Sequence, residues 1–113
     1  MLAESVPVPI DLDLAADRAL PEDVATTAYY VVSEAVTNAV KHADAERIAL
    51  RIAQDDGYLR VHVEDNGQGG AAARPGSGLA GISDRVAAAG GSMTVHSPPG
   101  HGTIVEVTLP CAS

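Results

Sequence analysis

Four residues whose types could do chemistry recur in the segment from Val32 to Ala43: Glu34, Asn38, Lys41 and His42. They stand at i, i+4, i+7 and i+8, so a helix there would carry all four along one stripe. The residues around them (Val31, Val32, Ala35, Val36, Ala39, Val40) are small and apolar. An acid, an amide, an ammonium and an imidazole on one face suit a metal ion and a phosphate chain. A solvated helix face has the same make-up, so the stripe alone does not choose between the two.

Asp65 is the sharpest single residue. The run Tyr58–Glu64 reads as a strand with Leu59, Val61 and Val63 inward and Arg60, His62 and Glu64 outward. Asp65 falls in phase with the inward set, so its carboxylate leaves the sheet on the apolar side. Burying an acid without donors is costly. Its own turn, Asp65-Asn66-Gly67, is one source of donors; a ligand is another, and the exocyclic amine of adenine is a suitable one. Gly67 and Gly69 follow, where bare backbone lets a ligand lie close.

A second glycine cluster, Gly76-Ser77-Gly78-Leu79-Ala80-Gly81, reads as G-x-G-x-x-G. A dinucleotide site needs a buried strand before that pattern, and Ala71-Ala72-Ala73-Arg74-Pro75 is no strand, so a Rossmann site is rejected. No G-x-x-x-x-G-K-[ST] run is present either. What survives is physical: a glycine turn feeding a helix presents free N–H groups to phosphate oxygens. His96 and His101 lie around the last turn and, like the outward His62, read as surface residues. Thr103 follows Gly102 and opens the final strand.

The elements that must hold these residues follow from periodicity. Val6–Leu14 reads as a half-buried strand, marked as an edge by Pro7 and Pro9. Pro21 opens a helix, with Glu22 and Asp23 in its first turn, that runs to about Ala43; its opposite face, Val24, Ala28, Val31 and Ala35, reads as core. Glu46–Gln54 and Tyr58–Glu64 form strands joined by an Asp55-Asp56-Gly57 hairpin turn. Residues 65–77 carry no periodicity, and a loop that long in a compact domain is usually functional. Gly78–Ala89 is a second helix, stopped at Gly90-Gly91, and Ser92–Ser97 and Thr103–Leu109 are the last strands. Hairpin-joined strands with helices sharing one face make an α+β two-layer sandwich, its sheet mixed but mostly antiparallel.

With 113 residues the chain is read as one domain, 1–113, with an ordered core over about 6–110. Aromatics are only 3%, all Tyr, so Val, Ile, Leu and Ala must build the core. A net charge of −8 argues against nucleic acid as a partner; it is compatible with a nucleotide that brings its own divalent cation. The single cysteine, Cys111, fits a reducing compartment and reads as a frayed tail residue. No run is long and apolar enough for a membrane span, and the start lacks the marks of a signal peptide. The expected location is cytoplasmic, with a membrane anchor open for any longer parent.

Together these residues resemble the ATP-binding catalytic domain of bacterial sensor histidine kinases of the GHKL superfamily, and within it the subfamily whose regulators carry LuxR-type DNA-binding domains. Glu34-x-x-x-Asn38-x-x-Lys41-His42 is similar to the N box, and Asp65-x-Gly67-x-Gly69 to the first glycine box. Gly76-Ser77-Gly78-Leu79-Ala80-Gly81-Ile82 with Asp84-Arg85 is similar to the second, and Gly102-Thr103 to the closing Gly-Thr motif. Any one of these is weak, but four in this order at these spacings are specific. The resemblance implies the Bergerat fold and the cofactors ATP and Mg²⁺. It places Asn38 on Mg²⁺, Lys41 and His42 facing the phosphates, and Asp65 on the adenine amine with Thr103 supporting through water. Gly67 and Gly69 start a short lid over residues 68–77, and Gly76 and Gly78, with Ser77 and Leu79 in the same motif, hold the phosphate tail. Glu34 matches the position that activates water in the superfamily's ATPases, and its role here stays open between catalysis and a water-mediated link to the metal.

The family's kinases receive phosphate on a histidine in a separate helical dimerisation domain, and no such segment is legible here. The implied partners are therefore that histidine phosphotransfer domain and, indirectly, a response regulator. The lid also lacks the phenylalanine motif, since the chain has no Phe. Two other readings share the nucleotide site: an anti-sigma-type serine kinase, and a non-catalytic module whose lid orders on ATP. The run Gly78-Leu79-x-Gly81-Ile82-x-Asp84-Arg85-Val86 favours the histidine kinase. Gyrase-like and mismatch-repair ATPases fit less well, because their longer lids and transducer domain are missing.

Overall fold

The computed structural model describes residues 10–15, 20–41, 45–55, 57–67 and 78–111. In chain order the elements are β1 (Ile10–Ala15), α1 (Glu22–Lys41), β2 (Ile48–Asp55), β3 (Tyr58–Asp65), α2 (Gly78–Ala88), β4 (Ser92–His96) and β5 (Thr103–Pro110). This is the expected order and type throughout. The expected first four residues of the first strand, 6–9, lie outside the described residues.

The strands make one sheet in the order β1-β2-β3-β5-β4. β1 is an edge, as its prolines suggested, and pairs parallel to β2 with Ile10 opposite Ile48. The other pairings are antiparallel. α1 is thus the crossover of a parallel β1–α1–β2 unit, a connection that needs a dozen or more residues. α2 carries the chain from β3 to β4 past the place that β5 later fills.

The core lies between one face of the sheet and the two helices. From α1 it takes Val24, Ala28, Val31, Val32, Ala35, Val36 and Ala39; from α2, Leu79, Ile82 and Val86. The spacing of both sets is helical, and the face chosen as core from sequence is buried. β3 alternates as expected, with Leu59, Val61, Val63 and Asp65 buried between exposed or half-buried neighbours. β5 alternates in step, burying Thr103, Val105, Val107 and Leu109. On the open face His62 stands between Glu64 and Glu106, its Nε2 3.2 Å from Glu64 and its Nδ1 3.8 Å from Glu106.

α2 ends where the glycine pair predicted. Gly90 has φ +77°, and the Gly91 N–H donates to Val86 at 2.9 Å, closing the last turn. One expectation is corrected. Cys111 is not frayed: its side chain is buried in the core, and its N–H donates to the Gly57 carbonyl at 2.8 Å. The chain continues in register past β5 and closes against the β2–β3 hairpin, which tail position could not reveal.

Candidate functional site

The Asp65 carboxylate is the centre of the site. Its residue is only 8% exposed, and with Thr103 it makes up the buried polar pair among the described residues. Burial raises its pKa, and the backbone N–H groups of Gly67 and Thr103 and the nearby Glu64 charge adjust it, the first two downward and the last upward; the net shift is up. Gly67 donates to Oδ1 at 2.8 Å. Part of the donor demand is therefore met by the residue's own turn, as one of the two readings of its sequence held. A carboxylate offers about four lone-pair sites, so two N–H donors leave acceptor capacity for a ligand amine.

Tertiary structure adds the partners around it. β3 and β5 pair so that Asp65 faces Thr103. The Thr103 hydroxyl lies 2.6 Å from Ser97 Oγ, and Ser97 Oγ also reaches the Gly102 carbonyl at 3.4 Å. Gly102 has φ +78°, and a Cβ there would run into the Asp65 carbonyl oxygen. Glycine is required on both counts: the left-handed backbone and the close approach of two chains.

Asn66 ties this end of β3 to the residues that lead into β2. Its Oδ1 accepts from the N–H groups of Glu46 and Arg47 at 2.9 and 2.8 Å, and its own N–H donates to Arg47 at 3.3 Å. The connector is held at its other side by the Ala45 N–H donating to Ala39 at 3.2 Å. Ala39 neighbours Asn38. The amide expected to face a metal and the carboxylate expected to face a base are thus joined through a short, hydrogen-bonded stretch.

Glu34 and Asn38 are both half-buried on α1. Lys41 closes α1, and Gly78 opens α2. Leu79 sends its side chain into the core, so only its backbone can face a ligand. His42, Gly69, Gly76, Ser77 and the whole expected lid, 68–77, lie outside the described residues. Asn66 and Ser97 are contacts that sequence reasoning missed. Asn66 carries a signal, an amide inside a turn, that does not point to Glu46 and Arg47; Ser97 carries none.

The profile of the histidine kinase-, DNA gyrase B- and HSP90-like ATPases matches residues 23–113. The chain belongs to this ATPase family. Within it, the chain is 36% identical over 103 residues to the sensor histidine kinase YxjM of Bacillus subtilis, covering 89% of this chain and 25% of that protein. It is 38% identical over 105 residues to the B. subtilis sensor histidine kinase YdfH, covering 88% and 26%. The chain therefore spans about a quarter of the length of these relatives. Among solved structures, the histidine kinase domain of the Erythrobacter litoralis EL346 blue-light activated histidine kinase superposes with a TM-score of 0.79 at 28% identity, over 92% of this chain and 55% of that one. The Acinetobacter baumannii histidine kinase AdeS shares the fold, with a TM-score of 0.77 at 16% identity over 98% and 58%. The match to the histidine kinase-, DNA gyrase B- and HSP90-like ATPases agrees with the GHKL resemblance read from the motifs.

Proposed function

We propose that this ATPase-family domain binds Mg-ATP and supplies the γ-phosphate to a histidine on a separate dimerisation domain, from which a response regulator draws it. The observation that carries the reading is the buried Asp65 carboxylate, held by Gly67 and Thr103 N–H groups and with acceptor capacity to spare. The 36–38% identity to named sensor histidine kinases supports it over a serine kinase. A regulator of the LuxR type remains part of the proposal.

Asp65 reads the adenine amine. Thr103, with its hydroxyl fixed by Ser97, orders the water beside the base. Gly67 and Gly69 are assigned to the start of the lid beside the base, and Gly76, Ser77, Gly78 and the N–H of Leu79 to the phosphates together with Lys41 and His42. Asn38, with Glu34 through water, is the protein's contribution to Mg²⁺, which usually takes only one or two protein groups and completes its shell with phosphates and water. Bound there, that ion would supply charge neutralisation to the phosphate chain. The domain's share of catalysis is positioning and electrostatic stabilisation of the transferring group.

The experiment is a calorimetric titration with ATP and GTP, with and without Mg²⁺. ATP binds, GTP does not compete at equal concentration, and Asn38→Ala removes the Mg²⁺ dependence. Absence of ATP binding at millimolar nucleotide, or equal affinity for GTP, would end the reading.

A further inference from the structure

We propose that Tyr30 is a positioning residue for the phosphate end of the site, setting how α2 stands against α1. Gly81 lies in the first turns of α2, and a Cβ there would come within 2.5 Å of the Tyr30 hydroxyl. One turn on, the Arg85 guanidinium carbon sits 4.1 Å above the centre of the Tyr30 ring. Tyr30 itself stands one turn before Glu34 on the stripe-bearing helix.

Gly81 has ordinary helical backbone, so left-handed geometry does not explain it, and a mid-helix glycine costs stability relative to alanine. The explanation is space: at Gly81 the helix backbone comes so close to the Tyr30 hydroxyl that a Cβ would force the tyrosine to shift. The tyrosine is thus a spacer whose hydroxyl abuts the bare backbone of α2 at Gly81 and whose ring lies under Arg85 of the same helix. Three residues before Gly81, Gly78 opens the helix with the N–H groups assigned to the phosphates. Moving α2 away from Tyr30 displaces those donors. It leaves untouched the pairing of β3 with β5 that holds Asp65.

The inference rests on the nucleotide-binding reading above and predicts a split that a merely structural role would not give. Gly81→Ala weakens ATP by about ten-fold, equivalent to ~1.4 kcal/mol, while adenosine stays within about two-fold. Measured in the Tyr30→Phe background, where the clashing oxygen is gone and the ring remains, the Gly81→Ala penalty on ATP disappears. Arg85→Gln, which opens no clash, shifts the ATP-to-adenosine ratio the same way by a smaller factor. Calorimetry on the 113-residue chain reads both ligands, with circular dichroism confirming the fold. Equal losses for ATP and adenosine, or a Gly81→Ala penalty unchanged by Tyr30→Phe, overturn the positioning role while the site survives. A wild-type chain that binds neither ligand overturns the function and this inference together.

Discussion

Asp65 and Thr103 stand opposite one another where β3 ends and β5 begins, and the Thr103 backbone N–H supports the Asp65 carboxylate. The two residues are distant in the chain. Their meeting sets the electrostatics of the site, because it lets a carboxylate be buried beside the core while its charge is only partly compensated.

That partial compensation has a sign. Burial raises the Asp65 pKa more than its N–H partners lower it, so the folded chain holds this proton more tightly than the unfolded one. Its contribution to stability is then fully present below the ordinary aspartate range and is lost as pH rises through the raised value. Nucleotide affinity runs the other way, since the amine needs the ionised acceptor. Unfolding and ATP titrations across the acid range therefore give opposite slopes, and Asp65→Asn flattens both. Parallel slopes would show that Asp65 does not receive the base.

Asn66→Ala removes the acceptor shared by the Glu46 and Arg47 N–H groups. Both donors are near solvent, so the expected loss is modest, about 1–2 kcal/mol in denaturant melts. The variant also loosens the tie to the residues after α1, whose Ala45 N–H bonds the Ala39 carbonyl next to Asn38. Mg-dependent ATP affinity falls together with stability; unchanged affinity in a destabilised variant would show that the tie is purely structural.

Gly102→Ala and Gly100→Ala form a matched pair. Both positions have left-handed backbone, at φ +78° and +81°. A Cβ at Gly100 meets nothing within 4 Å, whereas at Gly102 it meets the Asp65 backbone. Gly100→Ala should cost about 1 kcal/mol for backbone conformation alone. Gly102→Ala adds an overlap with backbone that no rotamer change relieves, for a total of roughly 3 kcal/mol or more. It also lowers ATP affinity. Equal melting losses for the two variants would mean that the close approach to Asp65 is not held in solution.

Much of the arrangement is legible in the sequence. The period-2 alternation of Leu59, Val61 and Val63 carried forward to Asp65 and placed its carboxylate on the buried side, where it lies. The helical spacing of Val24, Ala28, Val31 and Ala35 identified the core face of α1, leaving Glu34 and Asn38 at its margin. These are local facts: pleat and helix pitch fix side-chain direction residue by residue, whatever the rest of the chain does.

What tertiary structure alone decided is which segments meet. Hydrophobic alternation reads the same for any neighbour, so nothing local said that β5 would insert between β3 and β4 and bring Thr103 and Gly102 against Asp65. The same holds for Ser97 on Thr103, for Asn66 on the α1–β2 connector, and for Tyr30 against Gly81 and Arg85. Cys111 was misjudged for the same reason: proximity to a chain end says nothing about the strand that end lies beside. A side chain's direction belongs to its own backbone, but its partners belong to the packing of the whole.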